Sequence, residues 1–326
     1  MNNEKIKLAI IGAGRWGFNH VRTALGILAP ENITICDSSD ASLARVKELN
    51  EKINLVKDLS DVLGNQEINA VIIATPAETH YDIAKKTLNA GKNTFVEKPI
   101  TLKSSDAEEL LQLSIEKELK LMVGHILLYH PAILKIKQEV ENKKIGKLQY
   151  IYSNRLNLGA LRSEENILWS FAPHDISIIQ YITGANPVDV KSHGATFLQH
   201  DIEDTTLTYL TYPDNVHAHI YVSWLHPFKE QRMIVIGDVG MFVFEDTLKT
   251  EKLKFYPKGF KKVNGAFEKF DGDYEVVDFE PGQPLMSEQQ HFFDAINNNT
   301  KPVTDGQHAL DVLRILEKAQ EGLKQV

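Results

Sequence analysis

Six residues near the amino terminus, Gly12-Ala13-Gly14-Arg15-Trp16-Gly17, follow a short apolar β-branched run and open an amphipathic stretch. In that strand-to-helix setting a G-x-G-x-x-G run has chemical meaning. The first glycine permits a tight turn, the second lets the backbone approach a pyrophosphate, and the third lets the helix pack closely on the strand. The positive end of the helix then faces the phosphates, which points to a bound dinucleotide. Asp37 ends the next apolar run about 20 residues beyond Gly17, the spacing at which an acid accepts hydrogen bonds from the adenosine ribose. An acid there repels a 2′-phosphate, so NAD is the expected cofactor and NADP the less favoured one, although Ser38 and Ser39 could accept a phosphate if Asp37 turned away. The competing reading of Asp37 is a turn-forming residue after a strand.

A second reactive group is Lys98, in Glu97-Lys98-Pro99, at the end of the strand expected near Thr94–Val96. Ligands of open parallel sheets bind at the carboxyl ends of the strands, which sets this ammonium beside the nicotinamide. There it can stabilise negative charge developing on a substrate oxygen. The plainer reading is a solvated lysine before a turn proline. His174 lies among Trp169, Phe171 and Ile176, and on those residues alone it reads as a satisfied core histidine. The pairs His125/His130 and His217/His219 lack zinc-ligand partners at interpretable spacing, so no metal is expected. No serine-nucleophile motif occurs.

These groups need a scaffold, and the hydrophobic pattern supplies one. From Lys5 to Gly124, short β-branched runs alternate with amphipathic stretches, the signature of parallel βαβ units. Strands are expected near Lys7–Ile11, Ile33–Cys36, Ala70–Ala74, Thr94–Val96 and Lys120–Val123, with helices near Trp16–Leu28, Ala41–Leu49, His80–Asn89 and Ser105–Lys117. The pattern predicts an α/β chain whose first domain, residues 1–124, is a Rossmann doubly wound parallel sheet. Residues 125–326 read as an α+β domain with a mainly antiparallel open sheet. Its helices fall near Ala132–Glu141 and Asn166–Ile182, and its strands near Leu148–Leu156, Val188–Thr196, Thr205–Thr211, Val216–Val222, Met233–Ile236 and Met241–Glu245. Hairpins or loops are expected over Thr250–Gly272, and helices at Ser287–Asn297 and Gly306–Lys324 close the chain, the last packing back on the first domain.

Composition narrows the function classes. A chain of 326 residues with 43% apolar composition exceeds what one hydrophobic core usually spans, so two domains are the default. The net charge of −8 argues against a broad basic footprint for nucleic acid. One cysteine, Cys36, cannot form an internal disulfide, which fits a reducing compartment. No segment reaches the apolar length that crosses a bilayer, and Ile6–Gly12 is too short for a signal-peptide core, so a cytoplasmic location is expected, with no membrane partner.

Taken together, Gly12–Gly17, Asp37, Ala74-Thr75-Pro76 with His80 behind it, Glu97-Lys98-Pro99 and His174 resemble the Gfo/Idh/MocA oxidoreductase family over essentially the whole chain. The resemblance implies that Lys98 orients nicotinamide and substrate and that His174 acts as acid/base. It implies cofactor contacts from Gly12, Gly14, Arg15, Trp16, Gly17, Asp37, Thr75, Pro76, His80, Glu97 and Lys98, and a homo-oligomer, dimer or tetramer. His20 and His80 are expected to pack on or near the cofactor. Two departures stand out. The family's downstream motif often reads Asp-x-Gly-x-His, whereas this chain has Ser170-Phe171-Ala172-Pro173-His174, and the Arg that many members carry after the sixth strand is Leu128 here. An imidazole with an ordinary pKa near 6.5 can take a hydroxyl proton as hydride leaves the carbon.

The substrate is expected to meet Tyr129, Arg155, Asn157, Arg162, Trp169 and His174. The stretch between Tyr152 and Trp169 is rich in hydrogen-bonding groups, and Arg155 with Arg162 could clamp a carboxylate or diphosphate; the plainer reading is two surface arginines. The leading expectation is an NAD-dependent dehydrogenase or ketoreductase acting on a secondary alcohol or ketone of a sugar, a sugar acid or a nucleotide-activated sugar. The alternatives are an NAD-retaining non-redox enzyme that cleaves glycosides and an NAD-responsive binding protein without turnover.

Overall fold

The computed structural model describes residue 3, residues 5–159 and residues 161–323. Its first elements are built by apolar runs too short for anything but fully covered strands. β1 (Leu8–Ile11), β2 (Ile33–Cys36), β4 (Ala70–Ile73), β5 (Asn93–Val96) and β6 (Leu121–Val123) are buried almost throughout, and β3 (Asn54–Val56) closes one edge. All pair in parallel in the order β3-β2-β1-β4-β5-β6, with Leu8 opposite both Ile33 and Ala70. Between them run α1 (Arg15–Ala24), α2 (Asp40–Leu49), α3 (Leu59–Gly64), α4 (His80–Asn89) and α5 (Ser104–Glu116). α1 buries Gly17, His20, Val21 and Ala24, a stripe at helical spacing turned to the sheet.

After a helical turn at Ile126–Tyr129 come α6 (Pro131–Glu141), β7 (Leu148–Leu156) and α7 (Ile167–Thr183). Eight strands make the second sheet: β7 with β8 (Asp189–Ala195), β9 (Thr205–Thr211), β10 (His217–Ser223), β11 (Glu230–Gly237), β12 (Met241–Glu245), β13 (Leu253–Tyr256) and β16 (Glu275–Val276). β7 lies inside this sheet, parallel to β10 and antiparallel to β11, and the other pairings are antiparallel. α7 covers β7, β9 and β10 on one face. β14 (Lys258–Val263) and β15 (Ala266–Asp271) form a separate two-stranded ribbon.

α8 (Pro284–Asn297) and α9 (Gly306–Leu323) finish the chain. Two compact units result: Met1–Tyr129 together with Gln283–Leu313, and His130–Gly282 together with Arg314–Val326. α8 belongs to the first unit, where Phe292 and Phe293 are fully buried and Phe292 meets Phe95 of β5 edge-on. The α/β class, the doubly wound parallel sheet and the mainly antiparallel second sheet are as the sequence pattern predicts.

Differences are local. β3 and α3 carry no apolar run of their own, and β11 starts at Glu230, ahead of the expected Met233, because Asn154 and Glu245 on the flanking strands pair with its polar residues. α1 stops at Ala24, short of Leu28. The expected end of the last helix at Lys324 lies outside the described residues, as does Ala160 in the stretch feeding α7.

Candidate active site

The glycine loop is shaped by steric necessity. Gly12 has φ +91°, and a Cβ on it would meet Ala74 and Thr75 at 2.9 Å. A Cβ on Gly17 would fall 1.9 Å from the Gly12 carbonyl oxygen, so helix and turn touch only without side chains. At Gly14 the same test finds open space, and α1 has no side-chain cap over its first N–H groups. That uncapped end beside an open approach fits a pyrophosphate. Asp37 is held ready beside it: its Oδ2 accepts from the Ala13 N–H at 2.6 Å and its Oδ1 from the Ser39 N–H at 2.8 Å. Arg45, which the sequence does not single out, donates to the carbonyls of Ala13 and Gly14 at 2.7 and 3.1 Å and stacks on Phe18. Thr75 and Pro76 follow β4 at the same carboxyl edge, where Thr79 bonds the Thr75 hydroxyl and the Pro76 carbonyl, both at 2.7 Å.

Lys98 follows β5 and is braced from both sides. On one side, the buried Glu97 carboxylate accepts from the Trp16 indole N–H at 2.5 Å, from His20 Nε2 at 2.7 Å and from the Lys98 backbone N–H at 3.2 Å. Burial pushes the Glu97 pKa up, but the His20 and Trp16 hydrogen bonds and the Lys98 charge outweigh it and hold the carboxyl below its ordinary range. On the other side, His80 is 1% exposed, and its ring spans the carbonyls of Pro99 at 2.7 Å and Thr75 at 2.9 Å. His80 therefore ties the β4 loop to the Lys98 turn, with both ring nitrogens engaged by backbone. Arg15 is exposed at the start of α1. Tyr129 also lies in this unit, its hydroxyl 3.3 Å from that of Thr304.

In the second unit, α7 is buried along most of its length, and His174 is one of its partly exposed positions. The adjacent Asp175 is 1% exposed and faces the sheet. It accepts from Ser153 Oγ at 2.6 Å and, through both oxygens, from Arg155 Nε at 2.7 Å and Nη2 at 3.0 Å. Arg162 pairs with Glu165 at 3.3 Å on the exposed connecting loop. Each arginine considered for an anion clamp thus has a carboxylate partner. Trp169 donates its indole N–H to Gln320 at 3.0 Å, and the Asn157 N–H bonds the Ser223 carbonyl at 3.1 Å.

The first unit matches the family model described as "Oxidoreductase family, NAD-binding Rossmann fold" over residues 6–125, and the second matches the "GFO/IDH/MocA C-terminal domain" over residues 133–243. The chain belongs to the GFO/IDH/MocA family. Its relatives include scyllo-inositol 2-dehydrogenase (NAD(+)) of Bacillus subtilis, 26% identical and matched over 92% of this chain and 88% of that protein. UDP-N-acetylglucosamine 3-dehydrogenase of Acidithiobacillus ferrooxidans is 29% identical over 74% of each chain. A solved structure of the latter enzyme superposes with a TM-score of 0.84 over 97% of both chains, and levoglucosan dehydrogenase bound to NADH and levoglucosan gives 0.84 over 98% of this chain and 97% of the other.

As a GFO/IDH/MocA member the chain is an NAD-dependent oxidoreductase. Ser170, standing where the family pattern often has Asp, is 5% exposed in α7. Among the described residues no cluster of His, Cys, Asp and Glu could hold a metal, and no helix is long and apolar enough to cross a membrane. The hydrogen-bonded brace of Trp16, His20 and Glu97 was hidden from sequence reasoning because 77 residues separate His20 from Glu97. The i, i+4 spacing of Trp16 and His20 on one helix was its only visible trace.

Proposed function

We propose that this chain is a dehydrogenase or ketoreductase that moves a hydride between NAD and a secondary alcohol or ketone carbon of a sugar, with a nucleotide-activated sugar or sugar acid as the favoured class. One observation carries the reading: a cradle fitted to a dinucleotide shares the carboxyl edge of one sheet with a lysine braced on both flanks. Bound NAD supplies the hydride acceptor in oxidation and the donor in reduction. Gly12, Gly14, Gly17 and the start of α1 hold its pyrophosphate, Asp37 its adenosine ribose, and Thr75 and Pro76 line its path. The proposed division of labour gives residues 1–124 the cofactor and residues 125–326 the substrate.

In oxidation the carbon gives up hydride and its hydroxyl gives up a proton. Lys98 stabilises the charge developing on that oxygen, and His174 takes the proton; in reduction His174 returns it. Arg162, exposed on the loop before α7, is the proposed contact for an anionic substrate group. Arg155 acts from beneath, holding Asp175 and with it the helix register of His174. Relatives acting on scyllo-inositol and on UDP-N-acetylglucosamine support a polyol or activated sugar.

The test is NADH formation on a panel holding scyllo-inositol, UDP-N-acetylglucosamine and sugar acids. Lys98→Met is expected to lower kcat at least 100-fold, the scale of a lost oxyanion contact, with NAD binding retained; His174→Asn is expected to lower it 10²–10⁴-fold, roughly the worth of general acid–base catalysis. An unchanged kcat in either variant refutes that residue's role. Product released with no net NADH would replace redox turnover with transient oxidation.

A further inference from the structure

Between β8 and β9 the chain leaves the second sheet and returns, and residues 197–204 of this excursion form a braced arm. Asp204, 0% exposed, anchors its base. The Oδ2 atom accepts from the N–H groups of Phe197 at 2.5 Å and Leu198 at 2.9 Å, and Oδ1 accepts from the Trp224 indole at 2.5 Å. A buried carboxylate is stable only when donors satisfy it, and backbone donors cannot swing away. A bridge between Gln199 and Ile202 ties the tip. The arm reaches two places, both within the second unit. At its tip the Gln199 amide donates to the Arg162 carbonyl at 2.8 Å. At its base the Glu203 carbonyl takes the N–H of Ile167, the first residue of α7, at 3.1 Å, and the Glu203 carboxylate takes Nδ2 of the helix-capping Asn166 at 2.5 Å. The carboxylate oxygen accepts, which fixes the direction of the Asn166 amide. Asn166 Oδ1 then caps the Trp169 N–H at 3.2 Å, and Nδ2 also donates to Gln320 Oε1 at 2.8 Å, which receives the Trp169 indole N–H at 3.0 Å.

A loop side chain that must meet an anion binds it better when its backbone is already in place, because less freedom is lost on binding. Proton transfer is just as sensitive to placement. His174 stands seven residues after Ile167, about 10 Å along the axis of α7, so the seat of the helix start sets the seat of its imidazole. From this geometry, and resting on the roles proposed above for Arg162 and His174, we infer that the arm of residues 197–204 organises the substrate end of the site. Gln199 is a specificity-determining positioning residue that acts through Arg162, on anionic substrates alone. Glu203 and Asn166 are positioning residues that act through α7, on every substrate.

The experiment follows NADH formation with UDP-N-acetylglucosamine and glucuronate as anionic probes and scyllo-inositol as the uncharged one. Gln199→Leu, a change at a partly exposed side chain, is expected to raise KM for the anionic probes about fivefold, the worth of one hydrogen bond, and to leave kcat and the KM of scyllo-inositol as they were. Arg162→Ala is expected to give the same pattern with a larger rise. Asn166→Ser keeps an oxygen over the start of α7 but loses both tethers, so it is expected to lower kcat about tenfold on every probe while the unfolding midpoint stays near that of the wild type. A cap that served stability alone would leave kcat untouched. Glu203→Gln, the gentler change should the serine variant fold poorly, is expected to lose about threefold in kcat as a charged acceptor becomes a neutral one. The inference is overturned, with the Arg162 role kept, if Arg162→Ala raises KM for an anionic probe while Gln199→Leu raises none or raises all alike. Wild-type kcat in both Asn166→Ser and Glu203→Gln overturns the part carried by α7. Unchanged KM in Arg162→Ala, or wild-type protein that turns over none of the probes, overturns the role given to Arg162, and the inference with it.

Discussion

Removing the Asp175 carboxylate strands the Arg155 guanidinium, whose side chain keeps only 12% of its surface. Breaking a buried pair from one side leaves a charge without compensation, a loss of about 3–5 kcal/mol. Asp175→Ala is therefore expected to destabilise far more than Arg155→Met combined with Asp175→Leu, as read by urea unfolding; equal losses would mean the pair is not coupled. Glu288 makes a different prediction. It is fully buried, and neither carboxyl oxygen has a hydrogen-bond partner among the described residues. Burial first, and the Glu97 charge second, push its pKa well above the usual value. A raised folded-state value favours the protonated form, so nothing is lost below the unfolded value near 4.3, and stability falls by about 1.4 kcal/mol per pH unit above it until the raised value is reached. His125 and His308 lean the other way. Burial depresses both, His308 to about 4, so their contribution is intact above about 6.5 and is lost as pH falls below it. Glu288→Gln should gain stability at pH 8 and little at pH 4; parallel unfolding curves at both pH values would contradict the assignment.

At the scale of elements, α7 ends in a left-handed residue, Gly184 at φ +67°, with nothing near its missing Cβ. Gly184→Ala isolates backbone strain, expected at about 1 kcal/mol. Gly17→Ala, by contrast, drives a Cβ to 1.9 Å from the Gly12 carbonyl and should abolish NAD binding outright. Thermal unfolding with and without NAD reads both; a Gly184→Ala loss above 3 kcal/mol, roughly beyond the range of a single strained backbone, would reveal contacts the fold does not show. The same elements mark what a sequence can disclose. β7, β9 and β12 occupy the residues expected from their apolar alternation. Glu230, Gln231 and Arg232 escape that logic, since Glu230 and Arg232 earn their place in β11 through Asn154 and Glu245 across the strands. The strand-end positions of Gly12, Asp37 and Lys98 were legible because each follows closely on an apolar run. Arg155 was legible as a cation, while its partner Asp175, 20 positions away, was set only by the packing of α7 on the sheet.

The whole molecule is stitched from non-consecutive pieces. The first unit borrows α8, whose Phe292 and Phe293 are fully buried there, each burial contributing about 1.5–3 kcal/mol. A chain stopped after Gly282 keeps every glycine of the cofactor loop, yet it is expected to bind NAD at least tenfold more weakly and to expose apolar surface to a dye such as ANS; full affinity in that truncation would show that α8 is dispensable. Gln289 reaches back 269 residues to set the ring proton of His20. During translation, then, the strands of the parallel sheet leave the ribosome ahead of α8, the helix that completes their unit. A nascent chain holds the strands of its parallel sheet before Phe292 and Phe293 can cover them, and in that interval a chaperone has most to protect.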